Sequence, residues 1–209
     1  MRNLGLVGGL GPGATAHYYR ELAKAEPGEL LLIHADADRV LDNVRRGDRL
    51  ALASYLARLI ERLAAGGAQL AAISAITPHI CIRELEKISV LPLVNIIDTL
   101  NGEIAARGYK KIALFGTSFV MESRMFGMLE QVEVIVPEHI ETIHRTYMEI
   151  VNGGTEGRDI LSQIAKELPV DAVLLAGTDL SVVFDESNTT FPHLDCAAVH
   201  IQSILGRLQ

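Results

Sequence analysis

Short unbroken apolar runs alternate along this chain with longer stretches whose apolar residues recur every three or four positions. Leu4–Val7, Glu29–His34, Gln69–Ser74 and Val94–Ile97 read as strands. A glycine-rich turn follows the first, and a helix runs from about Ala14 to Ala25. Arg49–Ala65 repeats Leu52, Leu56, Leu59, Ile60 and Leu63 at helical spacing, with Asp48 placed to cap its start and Gly66 to close its end. The pattern then restarts. Lys111–Phe115 reads as a strand, followed by Gly116-Thr117 and a helix through about Gln131. Val132–Val136 is a strand, helices follow over about 138–151 and 157–168, Asp171–Leu175 is a strand, and Ala197–Leu208 is a closing helix.

Strands that alternate with helices predict parallel βαβ units. Runs that are apolar throughout fit sheets covered by helices on both faces. The two halves share a layout. Gly8 and Gly116 each follow a first strand, and Ser74–Thr77 and Ala176–Asp179 each follow a later strand at a comparable interval. The expected fold class is α/β, with two similar parallel-sheet, flavodoxin-like domains of about 100 residues facing each other across a cleft. Residues 1–97 with about 195–209 form the first, and 98–194 the second. Ligands of such sheets bind beyond the C-terminal strand ends. That rule selects the loops 8–15, 74–79, 116–123 and 176–181.

Composition narrows the function. Of the 209 residues 49% are apolar, which excludes a disordered chain. Aromatic residues make up 5%, Trp is absent and the net charge is −7, a balance that argues against a nucleic-acid partner. No apolar run reaches the roughly 18 residues of a membrane span, and the N-terminus lacks the pattern of a signal peptide, so a cytoplasmic protein without a membrane partner is expected. The two cysteines, Cys81 and Cys196, do not have CxxC spacing. The seven histidines form neither an HxxxH nor an HxH pair, and no metal site is expected.

The first loop, Gly8-Gly9-Leu10-Gly11-Pro12-Gly13-Ala14-Thr15, lets backbone N–H groups approach an anion at a helix N-terminus. Two nucleotide patterns fail on detail. Ala14 stands where a P-loop needs Lys, and GxGxxG is met from no starting glycine. Asp36 and Asp38 follow the second strand where a ribose-binding acid could lie, so a dinucleotide-binding protein stays open, as does a tight turn with no ligand. In the later loops Ser74, Thr77 and Thr178 offer hydroxyls. His79 is either a loop histidine bonded to backbone or a proton carrier, and Asp179 is either a helix cap or a proton carrier. Arg39, Arg45, Arg46 and Arg49 offer a carboxylate clamp or form a solvated basic cluster.

These loops resemble those of the aspartate/glutamate racemase family. Gly5-Leu6-Val7-Gly8-Gly9-Leu10-Gly11-Pro12, followed by Ala14-Thr15, is similar to the family's first loop, which usually carries an acid where this chain has Gly13. Gly116-Thr117 with Met121-Glu122-Ser123 resembles the start of its second half. Val136-Pro137-Glu138, Ile143-His144-Arg145, and Asp195 with Val199-His200 fall where family members have similar residues. The resemblance implies a cofactor-independent amino acid racemase fold, an isomerase, and a homodimer.

The family's chemistry holds an amino acid between two cysteines, one removing the α-proton while the other returns a proton to the opposite face. Its first cysteine belongs to a segment like Cys-Asn-Thr-x-His and its second to one like Gly-Cys-Thr-Glu. Here those positions are Ala75 and Gly177, the usual Asn is Ile76, and Val120 replaces a Thr. The resemblance therefore implies a divergent member without the two-thiol mechanism. One expectation is an enzyme of isomerase, decarboxylase or lyase type acting on a small amino acid or related carboxylic acid through an enolate-like intermediate at the interdomain cleft. Its ligand contacts would come from Gly9, Leu10, Gly11, Ser74, Ala75, Ile76, Thr77, Thr117, Ser118, Val120, Gly177 and Thr178, with Asp179 or His79 as proton carrier and no cofactor. The alternative is a catalytically silent protein that binds a metabolite.

Overall fold

The computed structural model describes residues 2–25, 28–154 and 156–209. The chain divides into two compact units, one of Met1–Ile96 with His200–Gln209 and one of Ile97–Val199.

The first unit is built on β1 (Leu4–Gly8), β2 (Leu30–His34) and β3 (Leu70–Ile73), parallel and in the order β2-β1-β3. Its helices are α1 (Pro12–Lys24), α2 (Ala37–Arg45), α3 (Arg49–Ala65) and α4 (Ile82–Ile88), with a 3₁₀ turn at Thr77–Cys81. β1, the central strand, is buried along its whole length, and so is β3, whose outer edge is met by the segment that bridges Leu93 to Ala71. β2 lies at the sheet edge and is half exposed, with Leu32 at 42%, so the uninterrupted apolar run there does not signal cover on both faces. α3 buries Leu52, Leu56, Ile60 and Leu63. It lies close over β1 at Gly5, where a Cβ would stand 3.0 Å from that of Leu63. Asp48 caps α3 as the sequence predicts, accepting from Ala51 N–H at 2.9 Å.

The second unit carries β4 (Lys111–Phe115), β5 (Glu133–Ile135), β6 (Ala172–Leu175) and β7 (His193–Asp195), all parallel in the order β5-β4-β6-β7. Its helices are α5 (Ile96–Arg107), α6 (Ser118–Glu122), α7 (Ile140–Val151) and α8 (Arg158–Glu167). The last helix, α9 (Cys196–Leu208), begins here and ends in the first unit.

Two expected elements differ. The strand expected at Val94–Ile97 is a single bridge between Ala71 and Leu93, with Val94 N–H bonded to Ala71 O at 2.9 Å, and the chain turns into α5 at Ile96. The helix expected through Gln131 ends at Glu122. Beyond it Arg124, Met125 and Phe126 have φ of 50°, 52° and 64°, a left-handed turn that no right-handed helix can contain. Phe126 N–H donates to Ser123 Oγ at 3.2 Å and Met125 is buried, which holds the turn in place.

Candidate functional site

In the first unit the glycine loop connects β1 to α1. Gly9 has φ +92°, and Gly11 is the N-cap of α1, where the absence of a side chain leaves the first turn without a side-chain cap. Thr15 locks the loop. Its Oγ1 accepts from Gly9 N–H at 3.0 Å and donates to Gly11 O at 2.9 Å, and it lies 3.4 Å from Ser74 Oγ at the end of β3. Gly8 must be glycine because a Cβ there would collide with Thr15. The structure thus brings Gly9, Gly11 and Ser74 together at the C-terminal ends of β1 and β3, as the strand-end rule requires. Thr15 is the organising residue, which the sequence reading did not single out for a role. A Cβ on Gly9 would lie 2.9 Å from Ala35 O and 2.8 Å from the His34 ring. The ring can swing aside but the carbonyl cannot. Gly9→Ala is therefore expected to lower stability by about 2 kcal/mol, measured by urea unfolding, from the left-handed φ and the contact together.

Ala75 and Ile76 are buried, and half-buried Thr77 begins the 3₁₀ turn. His79 is 1% exposed. Its Nδ1 donates to Ala75 O at 2.8 Å, and no group among the described residues reaches its Nε2. Burial holds the imidazole neutral, with its pKa lowered to about 4. Its ring lies edge-on to that of His200, 6.2 Å between centroids. His200 Nε2 donates to Val94 O at 2.9 Å, so its Nδ1 accepts from Tyr18 Oη at 2.9 Å. Burial first, then His79, holds His200 down to about 3. The place of His79 is thus inside the core of its unit, bonded to backbone.

In the second unit Gly116 and Gly177 end β4 and β6 side by side, and a Cβ at Gly116 would stand 3.2 Å from Gly177 N. Thr117 caps α6, its Oγ1 accepting from Val120 N–H at 3.2 Å, and Ser118 N–H donates to His144 Nδ1 at 3.2 Å. Val120 is buried. Thr178 and Asp179, both 3% exposed, open the 3₁₀ turn Thr178–Val182. Tyr147 of α7 lies across this loop. A Cβ on Gly177 would fall onto its ring, and its hydroxyl donates to Asp179 Oδ2 at 3.4 Å. Burial, then the Asp179 carboxylate, pushes the Tyr147 phenol well above its usual pKa. The sequence reading passed over Tyr147. The signal was a tyrosine on the apolar stripe Ile143, Tyr147, Ile150, where a buried hydroxyl needs a partner.

Neither cysteine is a ready thiolate. Cys81 is buried and its Sγ donates to Pro78 O at 3.2 Å, and burial followed by Glu84 pushes the thiol up to about 12. Cys196 is fully buried, and desolvation pushes it well above the ordinary thiol range. Four of the other candidates after β2, Asp36, Arg39, Arg45 and Arg46, are engaged in local structure. Asp36 caps α2, accepting from Arg39 N–H at 3.1 Å, and Arg39 stacks over Tyr55 at 4.5 Å. Arg45 pairs with Asp42 at 3.2 Å, and Arg46 bonds Asn43 Oδ1 at 3.0 Å. Among the described residues no cluster of His, Cys, Asp and Glu could hold a metal, and no helix is long and apolar enough to cross a membrane.

Solved structures share this fold. A presumed Asp/Glu racemase from Yersinia pestis is 24% identical, with a TM-score of 0.82 over 100% of this chain and 99% of its own. An aspartate racemase homologue from Pyrococcus horikoshii is 23% identical, with a TM-score of 0.81 over 100% and 99%. The aspartate racemase of Picrophilus torridus is 18% identical, with a TM-score of 0.82 over 100% and 94%. The profile of the Asp/Glu/Hydantoin racemase family matches residues 7–204, nearly the whole span over which the two parallel sheets and their glycine-led strand ends lie, and the chain belongs to that family.

Proposed function

We propose that this protein binds a small amino acid or related carboxylic acid and acts on the carbon beside the carboxylate through an enolate-like intermediate, without a two-cysteine mechanism and without a cofactor. The observation that carries the reading is the locked glycine loop at the start of α1. Thr15 takes up the Gly9 N–H, contrary to the expectation that Gly9 would donate to a ligand. It holds Gly11 beside a helix N-terminus that has no side-chain cap, so a carboxylate there would take its backbone donors from Leu10 and Gly11. The family's cysteine positions, Ala75 and Gly177, carry no thiol, and the thiols that exist are held protonated by burial. Proton transfer on the second unit falls to Asp179. Ser74, Thr77, Thr117, Ser118 and Thr178 supply the remaining polar contacts, from backbone or hydroxyl. The buried side chains of Ile76 and Val120 favour a ligand less polar than aspartate.

The test is proton NMR in deuterated water with both enantiomers of aspartate, glutamate, leucine and phenylalanine. Loss of the α-proton signal for an apolar member, faster than for aspartate, is the expected result. Aspartate racemisation at the fastest rate of the panel would overturn the preference. A silent metabolite-binding protein is favoured by one observation, the burial of Asp179 to 3%. Saturable binding across the panel with no exchange would decide for it.

A further inference from the structure

Tyr147 carries a polar group into a buried place that the family resemblance does not account for. Its ring occupies the volume that a side chain at position 177 would fill, with Cζ 2.6 Å and Cδ2 2.9 Å from where that Cβ would stand. A sulfur on that Cβ would extend beyond it, so the phenol stands in the region that a cysteine at 177 would reach. The hydroxyl points to Asp179, two residues further along the same loop. Both groups are buried, at 7% and 3% exposure.

We propose that Tyr147 is the positioning residue for Asp179, its ring packed in the space over Gly177 and its hydroxyl fixing the carboxylate as the proton acceptor of this unit. The inference rests on the reading of Asp179 given above and names what orients it. In the step itself Asp179 takes the proton from the carbon beside the ligand's carboxylate. The C–H electron pair passes into the enolate, the new O–H forms on Asp179, and that proton exchanges with solvent before one returns to carbon. Tyr147 keeps its own proton throughout, consistent with burial and the neighbouring carboxylate both disfavouring a phenolate. Among the described residues, Cys196 at the start of α9 stands near the pair and is neutral by burial; next to it lies Asp195, whose Oδ1 accepts from Ser181 Oγ at 2.7 Å and from Ala197 N–H at 2.8 Å.

Tyr147→Phe tests this, since it keeps the ring over Gly177 and removes only the hydroxyl. With the probe that exchanges fastest in wild type, the variant is expected to lose about tenfold in α-proton exchange. The acid limb of its pH–rate profile should move to higher pH, because a carboxylate that loses a donor is protonated more easily. Probe affinity, read by calorimetry, should stay within about twofold, and Asp179→Asn should lose exchange altogether. A Tyr147→Phe protein with the wild-type rate and profile would overturn the inference. So would a wild-type protein that binds probes without exchanging them, an outcome that leaves carboxylate binding intact. Failure of the wild type to bind any probe would remove both the inference and the function it rests on. A readout without ligand completes the test. The ¹³Cζ signal of Tyr147 should shift in Asp179→Asn, and an unmoved signal would show that the two groups are not paired.

Discussion

Lowering the pH from 7 to 5 is expected to remove about 4 kcal/mol of stability, and the loss should come from the first unit. His79 and His200 are buried neutral there, with pKa values lowered from 6.5 to about 4 and about 3. Between pH 6.5 and those values the unfolded chain binds more protons than the folded one, so stability rises with pH across that window. It is fully present above pH 6.5 and is lost as the pH falls, at about 1.4 kcal/mol per unit for each histidine. Burial dominates both shifts, and the Val94 carbonyl bonded to His200 offsets only part of it. The Arg207 guanidinium acts on His200 in the same direction, adding to the cost of a positive charge there. For a domain whose net stability is typically about 5–15 kcal/mol, this is a large fraction. Urea midpoints measured from pH 7 to pH 5 check it. In His200→Gln the slope should fall by about half even though the variant starts out less stable. An unchanged slope would show that the pair does not set the acid limit.

The βα alternation located β1, β3, β4 and β6 because each is a short apolar run bounded by Gly, Asp or a helix cap, and the Asp48 cap fixed the start of α3. Val94–Ile97 misled for a physical reason. Four apolar and polar residues cannot distinguish a strand from the entry to a helix, and only the placing of Leu93 against Ala71 settles that a single bridge forms. The end of α6 was hidden as well. Arg124, Met125 and Phe126 are ordinary residues in a left-handed turn, stabilised by Ser123 and by the burial of Met125 and not by a glycine ahead of them. Asp36 shows the converse. A carboxylate after a strand suits a ribose, but three residues on lies the Arg39 N–H that it caps.

The candidate loops were legible in sequence for the same reason as the strands they follow. Strand ends are where such sheets bind ligands, and glycine marks them. What could not be read is which side chain fills each loop. Thr15 sits four residues after Gly11, so its bonds to the loop are local and recoverable in principle as a turn motif. Tyr147 meets Gly177 only because α7 packs over the end of β6, thirty residues away in sequence, and periodicity alone says nothing about which helix covers which loop.

That contact makes Gly177→Cys the most informative substitution in the second unit. Ala75 already carries a Cβ, so Ala75→Cys adds one sulfur to a buried site and is expected to cost no more than about 1.5 kcal/mol. Gly177→Cys is different in kind. Its Cβ must occupy space held by the Tyr147 ring, 2.6 Å from Cζ, and α7 buries that ring with Ile143 and Ile150 on one face. Displacing the ring overpacks the loop, at about 1–3 kcal/mol, and pulls the hydroxyl from a buried carboxylate, at about 1–3 kcal/mol more. The expected loss is about 4 kcal/mol by urea unfolding. Shrinking the ring should return most of it, so Tyr147→Ala with Gly177→Cys is expected to be more stable than the sum of the two single changes, with a coupling of about 2 kcal/mol. The thiol should react with a disulfide reagent more readily in that double variant than in Gly177→Cys alone, since only there can the sulfur take the vacated volume. Equal stability of Gly177→Cys and the parent protein would show that the ring yields without cost, and Tyr147 would then hold neither the loop nor Asp179 in place.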